Sequence, residues 1–197
     1  MLTRLVGEYE LDFDWRGFEL HPETPRGGVR VDELFRGVDM EAMRQRMQGF
    51  AASFGVEMGV PDRMPNTRRA LAVAELARDQ GRLTGFRDAV MDAHWTRGLD
   101  IEDDEVLAEL LAEVGLEPEA VSAADDAAYV ARVDALGGEA RQWGVSGIPT
   151  YFFLPEGWTL GDPLPPDGPR PARVVGCQPY ERVLAACLQA GVARRET

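Results

Sequence analysis

The sequence predicts an α/β fold in which a long run of helices interrupts a small β-sheet. Near the start, Leu11, Phe13 and Trp15 alternate with other residues at the spacing of a half-buried strand. Near the end, two short apolar segments, 145–154 and 173–176, are typical of strands. Between these regions the apolar residues recur at helical spacing. Together these observations place strands at both ends and helices in the middle.

The helices are predicted from apolar periodicity and from glycine or proline at their ends. The expected segments are 32–54 with an interruption at Gly37, a helix from Asn66 or Thr67 to Gly81, one ending at Gly98, 103–114 before Gly115, and 124–143. A Pro/Gly-rich loop, 155–171, separates the two late strands. Pro179 opens a last helix with an expected buried stripe of Val183, Leu184, Cys187 and Leu188.

The composition is that of a globular chain, and its net charge disfavours a nucleic-acid partner. Of the 197 residues, 45% are hydrophobic and 28% charged, and the formal net charge is -13. Phosphate binding needs a concentrated positive face, which this chain lacks. No apolar run approaches the ~20 residues that span a bilayer, and the start has no signal-peptide pattern. We therefore expect a cytoplasmic protein without a membrane partner.

The residues available for catalysis are few. All 21 basic residues are arginine, which excludes a lysine Schiff base and a P-loop lysine. The two cysteines, Cys177 and Cys187, match no zinc or redox spacing, and the chain contains no Cys-x-x-Cys. With only His21 and His94 as histidines, we expect no metal site and no bound cofactor.

The segment VSGIPT at 145–150 is the clearest candidate for a binding site. Proline has no amide hydrogen, and the bond before it adopts the cis form at small cost. A cis Ile148–Pro149 bond would present the flanking backbone groups outward, where an extended peptide or a tripeptide thiol can pair with them. The alternative is a trans proline that only begins a strand. We take Gly147, Ile148, Pro149 and Thr150 as candidate substrate-binding residues.

Three further segments accompany this loop and its following strand in a distinctive order. They are WRGFELHP at 15–22, PNTRRA at 65–70 and GCQPY at 176–180. In this order, with 145–153, they resemble the FrnE-like branch of the DsbA family of thioredoxin-like proteins. The resemblance covers nearly the whole chain, although only the proline loop is mechanistically specific.

The resemblance implies a thioredoxin-like (DsbA-like) fold with a large α-helical insertion and with its first strand missing. It implies a thioredoxin-like domain split between 1–30 and 138–197, and an inserted helical domain of 31–137. It also implies a thiol-disulfide oxidoreductase whose proline loop orients a mixed disulfide. The expected partner is a thiol or disulfide peptide or a small thiol, and a homodimer is left open.

The redox motif of this family is absent from the sequence. Family members carry Cys-x-x-Cys after the first strand, where the helix N-terminus stabilises a thiolate. Segment 1–10 resembles the end of the family's first helix, so the first strand and the motif would precede residue 1. A misplaced start, a truncated chain and a degenerate homologue all fit, so catalytic competence is left open and no catalytic residue is assigned. Segment 10–18 would then lack its usual pairing partner.

The sequence gives little support to either cysteine as a replacement for the missing motif. Cys177 follows the last strand rather than opening a helix, which disfavours it as a nucleophile. Cys187 lies on the apolar stripe of the last helix, so we expect it to be packed in the core.

Two alternative functions remain. Kappa-class glutathione transferases and 2-hydroxychromene-2-carboxylate isomerases share this layout, and in them a comparable Pro-Asn-Thr region contributes to the glutathione pocket. That resemblance makes Asn66 a fifth candidate substrate-binding residue and glutathione an alternative co-substrate, whereas the simpler interpretation of Asn66 and Thr67 is helix capping. The remaining alternative is a non-catalytic thioredoxin-like module that binds a partner with the same loop.

Overall fold

The computed structural model describes residues 2–163 and 167–196. Part of the predicted 155–171 loop, residues 164–166, lies outside these ranges, as does Met1 of the segment likened to a helix end. The chain forms two compact units. The sheet unit comprises Met1–Asp14 and Glu139–Thr197, and the helical unit comprises Trp15–Gly138.

The described residues form short strands and longer helices. In chain order these are α1 (Leu2–Glu8), β1 (Val29–Arg30), α2 (Val31–Leu34), α3 (Met40–Ala52), β2 (Arg63–Met64), α4 (Arg68–Asp79), α5 (Leu83–Trp95), α6 (Asp104–Glu113), a 3₁₀ helix (Pro118–Asp125), α7 (Ala127–Gln142), β3 (Thr150–Phe153), β4 (Ala172–Val175) and α8 (Tyr180–Gln189). Among the described residues no helix is long and apolar enough to cross a membrane.

The core of the sheet unit lies between β3, β4 and two helices. The two strands pair antiparallel, with Thr150 opposite Val175. Leu5 of α1 and Val183 of α8 are fully buried in the same apolar cluster. Burying each such side chain stabilises the fold by about 1.5–3 kcal/mol. The predicted stripe of α8 is correct for Val183 and Cys187 and wrong for Leu188, which is 52% exposed because it lies on the solvent side of the helix.

The core of the helical unit is built from α4, α5, α6 and the 3₁₀ helix. Phe86, Leu107 and Leu111 are fully buried and belong to one cluster. The last two lie four residues apart, so they share one face of α6. The Asp103 side chain caps this helix by accepting from the backbone N–H groups of Glu105 and Val106.

The helical predictions are confirmed and the first-strand prediction is wrong. The segment 32–54 is interrupted where expected, with Gly37 at φ 81° between α2 and α3. Residues 10–19, by contrast, form no strand. Burial still alternates along 10–16, so the period-2 pattern correctly reports which side chains are covered. A strand also needs a regular ladder with a neighbouring backbone, and next to this segment the structure has an isolated bridge between Tyr9 and Arg194, with the Glu10 N–H donating to the Ala193 carbonyl at 2.9 Å.

Residues 15–30 pack with the helical unit, whereas the sequence groups them with the split domain. A Cβ atom at Gly17 would lie 2.7 Å from Leu71 Cδ2, so this glycine packs directly against the Leu71 side chain. Glu19 Oε2 accepts a hydrogen bond of 2.8 Å from Arg68 Nη1. These contacts tie the segment to α4. They describe packing alone, and the domain boundaries 1–30, 31–137 and 138–197 stay a prediction.

The burial of His94 predicts a pH-dependent stability for the helical unit. Burial lowers the pKa of His94 below its ordinary value of 6.5. The unfolded chain therefore binds the proton more readily, so the stability contributed by this group is full above pH 6.5 and falls as the pH drops toward the folded pKa.

Replacing His94 tests this dependence. We expect the free energy of unfolding of His94→Gln, measured in urea between about pH 5 and 8, no longer to show this decrease toward low pH. His21→Gln, which retains His94, should keep it, and identical slopes in both variants would contradict the assignment.

Candidate functional site

The proline loop joins the end of α7 to the start of β3. Gly144, at φ 71°, ends the helix, and the backbone N–H of Val145 donates to the carbonyl of Ala140 at 2.9 Å. The Ile148–Pro149 peptide bond is cis. Regular strand pairing then begins at Thr150.

Contacts with the end of β4 fix the shape of this loop. The backbone N–H of Gly176 donates to the carbonyl of Pro149 at 2.7 Å. Within the loop, Thr150 Oγ1 donates to the carbonyl of Gly147 at 2.7 Å. A Cβ atom at Gly147 would lie 3.7 Å from Val175 Cγ1, so this glycine is in van der Waals reach of β4. The four predicted loop residues thus form one compact group.

The loop leaves an edge of backbone open. In an antiparallel ladder, hydrogen-bonded and non-hydrogen-bonded pairs alternate. Because Pro149 bonds to Gly176, Thr150 falls at a non-hydrogen-bonded pair and its backbone groups point away from β4. Within the described residues, the backbone N–H and C=O of Ile148 have no backbone partner either. Ile148 is 54% exposed, so an apolar surface accompanies this edge.

The two cysteines near β4 and α8 differ in environment. Both are free thiols, Cys177 exposed and Cys187 buried. Burial raises the pKa of the Cys187 thiol, which keeps it protonated and unreactive, as its predicted place in the core implies. Burial and the neighbouring Cys177 also raise the pKa of the Tyr151 phenol. In the part of the chain that the structure describes, no cluster of three His, Cys, Asp or Glu side chains could hold a metal ion.

Asn66, the fifth candidate, belongs to the helical unit, and its amide is used within the protein. Its Nδ2 donates to the carbonyl of Thr24 at 2.6 Å, and its Oδ1 accepts from the backbone N–H of Arg68 at 3.0 Å. The Thr67 side chain makes no capping hydrogen bond. Asn66 therefore caps the start of α4, as the simpler interpretation of this segment expects.

A buried carboxylate holds Asn66 in place, and the sequence interpretation missed it. Glu102 is 9% exposed, and its two oxygens accept from the backbone N–H groups of Asn66 at 2.7 Å and Gly27 at 2.9 Å. Arg69 Nη1 also donates to the Glu102 carbonyl at 2.8 Å. The acidic run around Glu102 is typical of a solvated helix start, so the sequence held no signal for this one buried member.

Replacing this carboxylate tests its role directly. We expect Glu102→Gln to destabilise the protein by about 1–3 kcal/mol, because an amide N–H₂ group would face a backbone N–H that needs an acceptor. Glu105→Gln, at an exposed position of the same acidic run, should change the free energy of unfolding by less than about 0.5 kcal/mol. Urea unfolding measures both. Equal effects of the two variants would contradict a structural role for Glu102.

The chain matches a known protein family in sequence and a solved structure in fold. The sequence model of the DSBA-like thioredoxin domain matches residues 1–184, and the chain belongs to this family. Its α/β architecture is accordingly the thioredoxin-like fold with a helical insertion. Among solved structures, the chain is similar to a probable DsbA oxidoreductase from Streptomyces coelicolor, at 29% identity and a TM-score of 0.73. The match covers 89% of this chain and 74% of that one. No curated protein matches the chain.

Proposed function

We propose that this chain binds a thiol- or disulfide-bearing polypeptide at the open edge of Ile148, Pro149 and Thr150, as the substrate-binding part of a thiol-disulfide oxidoreductase. One observation carries the proposal. Ile148 is 54% exposed, and among the described residues its backbone groups have no backbone partner, directly beside a strand whose first residue also points its backbone groups outward. Membership of the DSBA-like family supports the same interpretation.

The chemistry of such an edge is strand addition. An extended peptide can exchange backbone hydrogen bonds with Ile148 and Thr150, while its side chains contact the apolar surface of Ile148. This pairing would hold a substrate sulfur in a fixed orientation for exchange. Thiol-disulfide exchange needs an attacking thiolate and a resolving thiol. The 197 residues contain no Cys-x-x-Cys, so the part of this chain in the reaction is binding and orientation.

Placement in the FrnE-like branch belongs to the same proposal. It rests on the order of the segments 15–22, 65–70, 145–153 and 176–180. A glutathione-dependent isomerase or transferase is less favoured, since both ends of the Asn66 amide are engaged by Thr24 and Arg68. A non-catalytic binding module would use the same edge without turnover of any thiol.

Ile148 provides the test. In a Cys177→Ser background, which prevents exchange with the exposed thiol, calorimetry would measure binding of an eight-residue apolar peptide with one central S-methylcysteine. We expect Ile148→Ser to weaken binding at least about tenfold, because covering an isoleucine contributes about 1.5–3 kcal/mol. Leu188→Ser is the matched control, since Leu188 is an aliphatic residue of the same unit with a similar exposed fraction, 52% against 54%.

The outcomes separate the candidate functions. Loss of affinity in Ile148→Ser with less than about a twofold change in Leu188→Ser supports the proposal. Equal changes in the two variants, or no binding of the peptide to the parent protein, would overturn it. Binding of glutathione in place of the peptide would favour the isomerase or transferase.

A further inference from the structure

The turn that follows β4 is closed by a side chain. Gly176 adopts φ 78°, a conformation that side-chain-bearing residues rarely take. Two residues later, Gln178 Nε2 donates to the carbonyl of Val175 at 2.9 Å. Arg182 Nη1 lies 3.4 Å from Gln178 Oε1 and orients the amide so that its N–H₂ group faces Val175. The segment GCQPY, to which the proposed function assigns no structural role, therefore forms a defined local structure.

The carbonyl that Gln178 binds is one that the sheet cannot satisfy. Val175 lies opposite Thr150 at a non-hydrogen-bonded pair, so its carbonyl points away from β3. The Gln178 amide supplies the missing donor from within the turn. The side chain thereby fixes the direction in which the backbone leaves β4.

The same turn carries the contact that holds the proline loop. An ordinary hydrogen-bonded pair of an antiparallel ladder exchanges two bonds. Pro149 has no N–H, so its pair with Gly176 has only the bond from Gly176 N–H to the Pro149 carbonyl. The Gly176 N–H lies in the same planar peptide unit as the Val175 carbonyl that Gln178 binds, so its direction is fixed together with that carbonyl. A change in the turn therefore moves the one donor that the loop has at this position.

We infer that Gly176 and Gln178 are positioning residues, which hold the proline loop in its peptide-binding geometry through the Gly176–Pro149 hydrogen bond. The inference rests on the proposed function. Gln178 binds the Val175 carbonyl and so holds the turn in place. The turn sets the direction of the Gly176 N–H, and that N–H fixes the Pro149 carbonyl beside Ile148. Neither residue has to touch the substrate.

Gln178→Glu tests this chain of contacts, since glutamate keeps the shape of glutamine and has no N–H donor at neutral pH. In the peptide calorimetry we expect the dissociation constant to rise by about three- to tenfold, the effect of one lost hydrogen bond. Gln189→Glu is the matched control. Gln189 Nε2 also donates to a backbone carbonyl of the sheet unit, that of Pro171 at 3.3 Å. Loss of this hydrogen bond should change the affinity for the peptide by less than about twofold. Gly176→Ala, strained at its positive φ, should weaken binding in the same direction as Gln178→Glu.

Two further readouts distinguish positioning from general stability. Without any ligand, the Gly176 amide should exchange with solvent faster in Gln178→Glu than in Gln189→Glu, while thermal unfolding of the two stays alike. In the double variant Ile148→Ser/Gln178→Glu, the loss of peptide affinity should be smaller than the product of the single losses, because both act through one loop. Independent, multiplicative losses would overturn the inference, as would equal behaviour of the two glutamine variants.

The inference and the proposed function fail separately. If the parent protein does not bind the peptide while the Gly176 amide still responds to Gln178→Glu, Gln178 does hold the turn and the proposed function is wrong. If binding depends on Ile148 and is indifferent to Gln178 and Gly176, the function stands and the positioning role is wrong.

Discussion

One backbone hydrogen bond, from Gly176 N–H to the Pro149 carbonyl, sets the geometry of the candidate site. It continues the β3–β4 ladder one pair beyond Thr150 and therefore fixes which backbone groups of β3 face β4 and which face outward. Because proline has no N–H, the pair of Pro149 and Gly176 has one hydrogen bond where an ordinary pair has two. The exposed edge at Ile148 and Thr150 exists because this bond ends the pairing where it does.

In the helical unit, by contrast, a buried polar group makes its hydrogen bonds within the protein. Glu102 is buried, and its two carboxylate oxygens accept hydrogen bonds from the backbone N–H groups of Gly27 and Asn66, which belong to separate segments. Arg69, itself 8% exposed, adds a bond to the Glu102 carbonyl and pairs with Asp125 at 2.9 Å. Burying such charges is favourable only when nearly every polar atom has a partner, which these contacts achieve for the carboxylate. This polar centre fixes the start of α4, whereas the proline loop leaves its backbone available.

The sequence predicted those features that local residue pattern determines. Gly37, Gly81 and Gly115 all adopt positive φ at the helix ends where the pattern placed them. The loop residues Gly147 to Thr150 could be selected because proline chemistry is local. The strand expected around Leu11 and Phe13 could not be settled from pattern alone. Alternating burial is present there, but period-2 burial alone does not produce a ladder, and residues 10–19 form no strand.

The features that the sequence did not predict depend on contacts that form only in the folded chain, most of them between residues distant in sequence. Glu102 stands in an acidic run, and only the approach of Gly27 and Asn66 makes it a buried acceptor. Gln178 resembles an ordinary polar turn residue until its bond to Val175 and the neighbouring Gly176–Pro149 contact are known. No property of these residue types alone distinguishes them from solvated neighbours.

Amide hydrogen exchange of the protein, with and without the S-methylcysteine peptide, tests the central claim most directly. If the edge beside Pro149 receives an added strand, the N–H groups of Ile148 and Thr150 become protected on binding, since they then donate to the peptide. Protection that appears elsewhere while these two amides keep exchanging at their free rate would contradict the account.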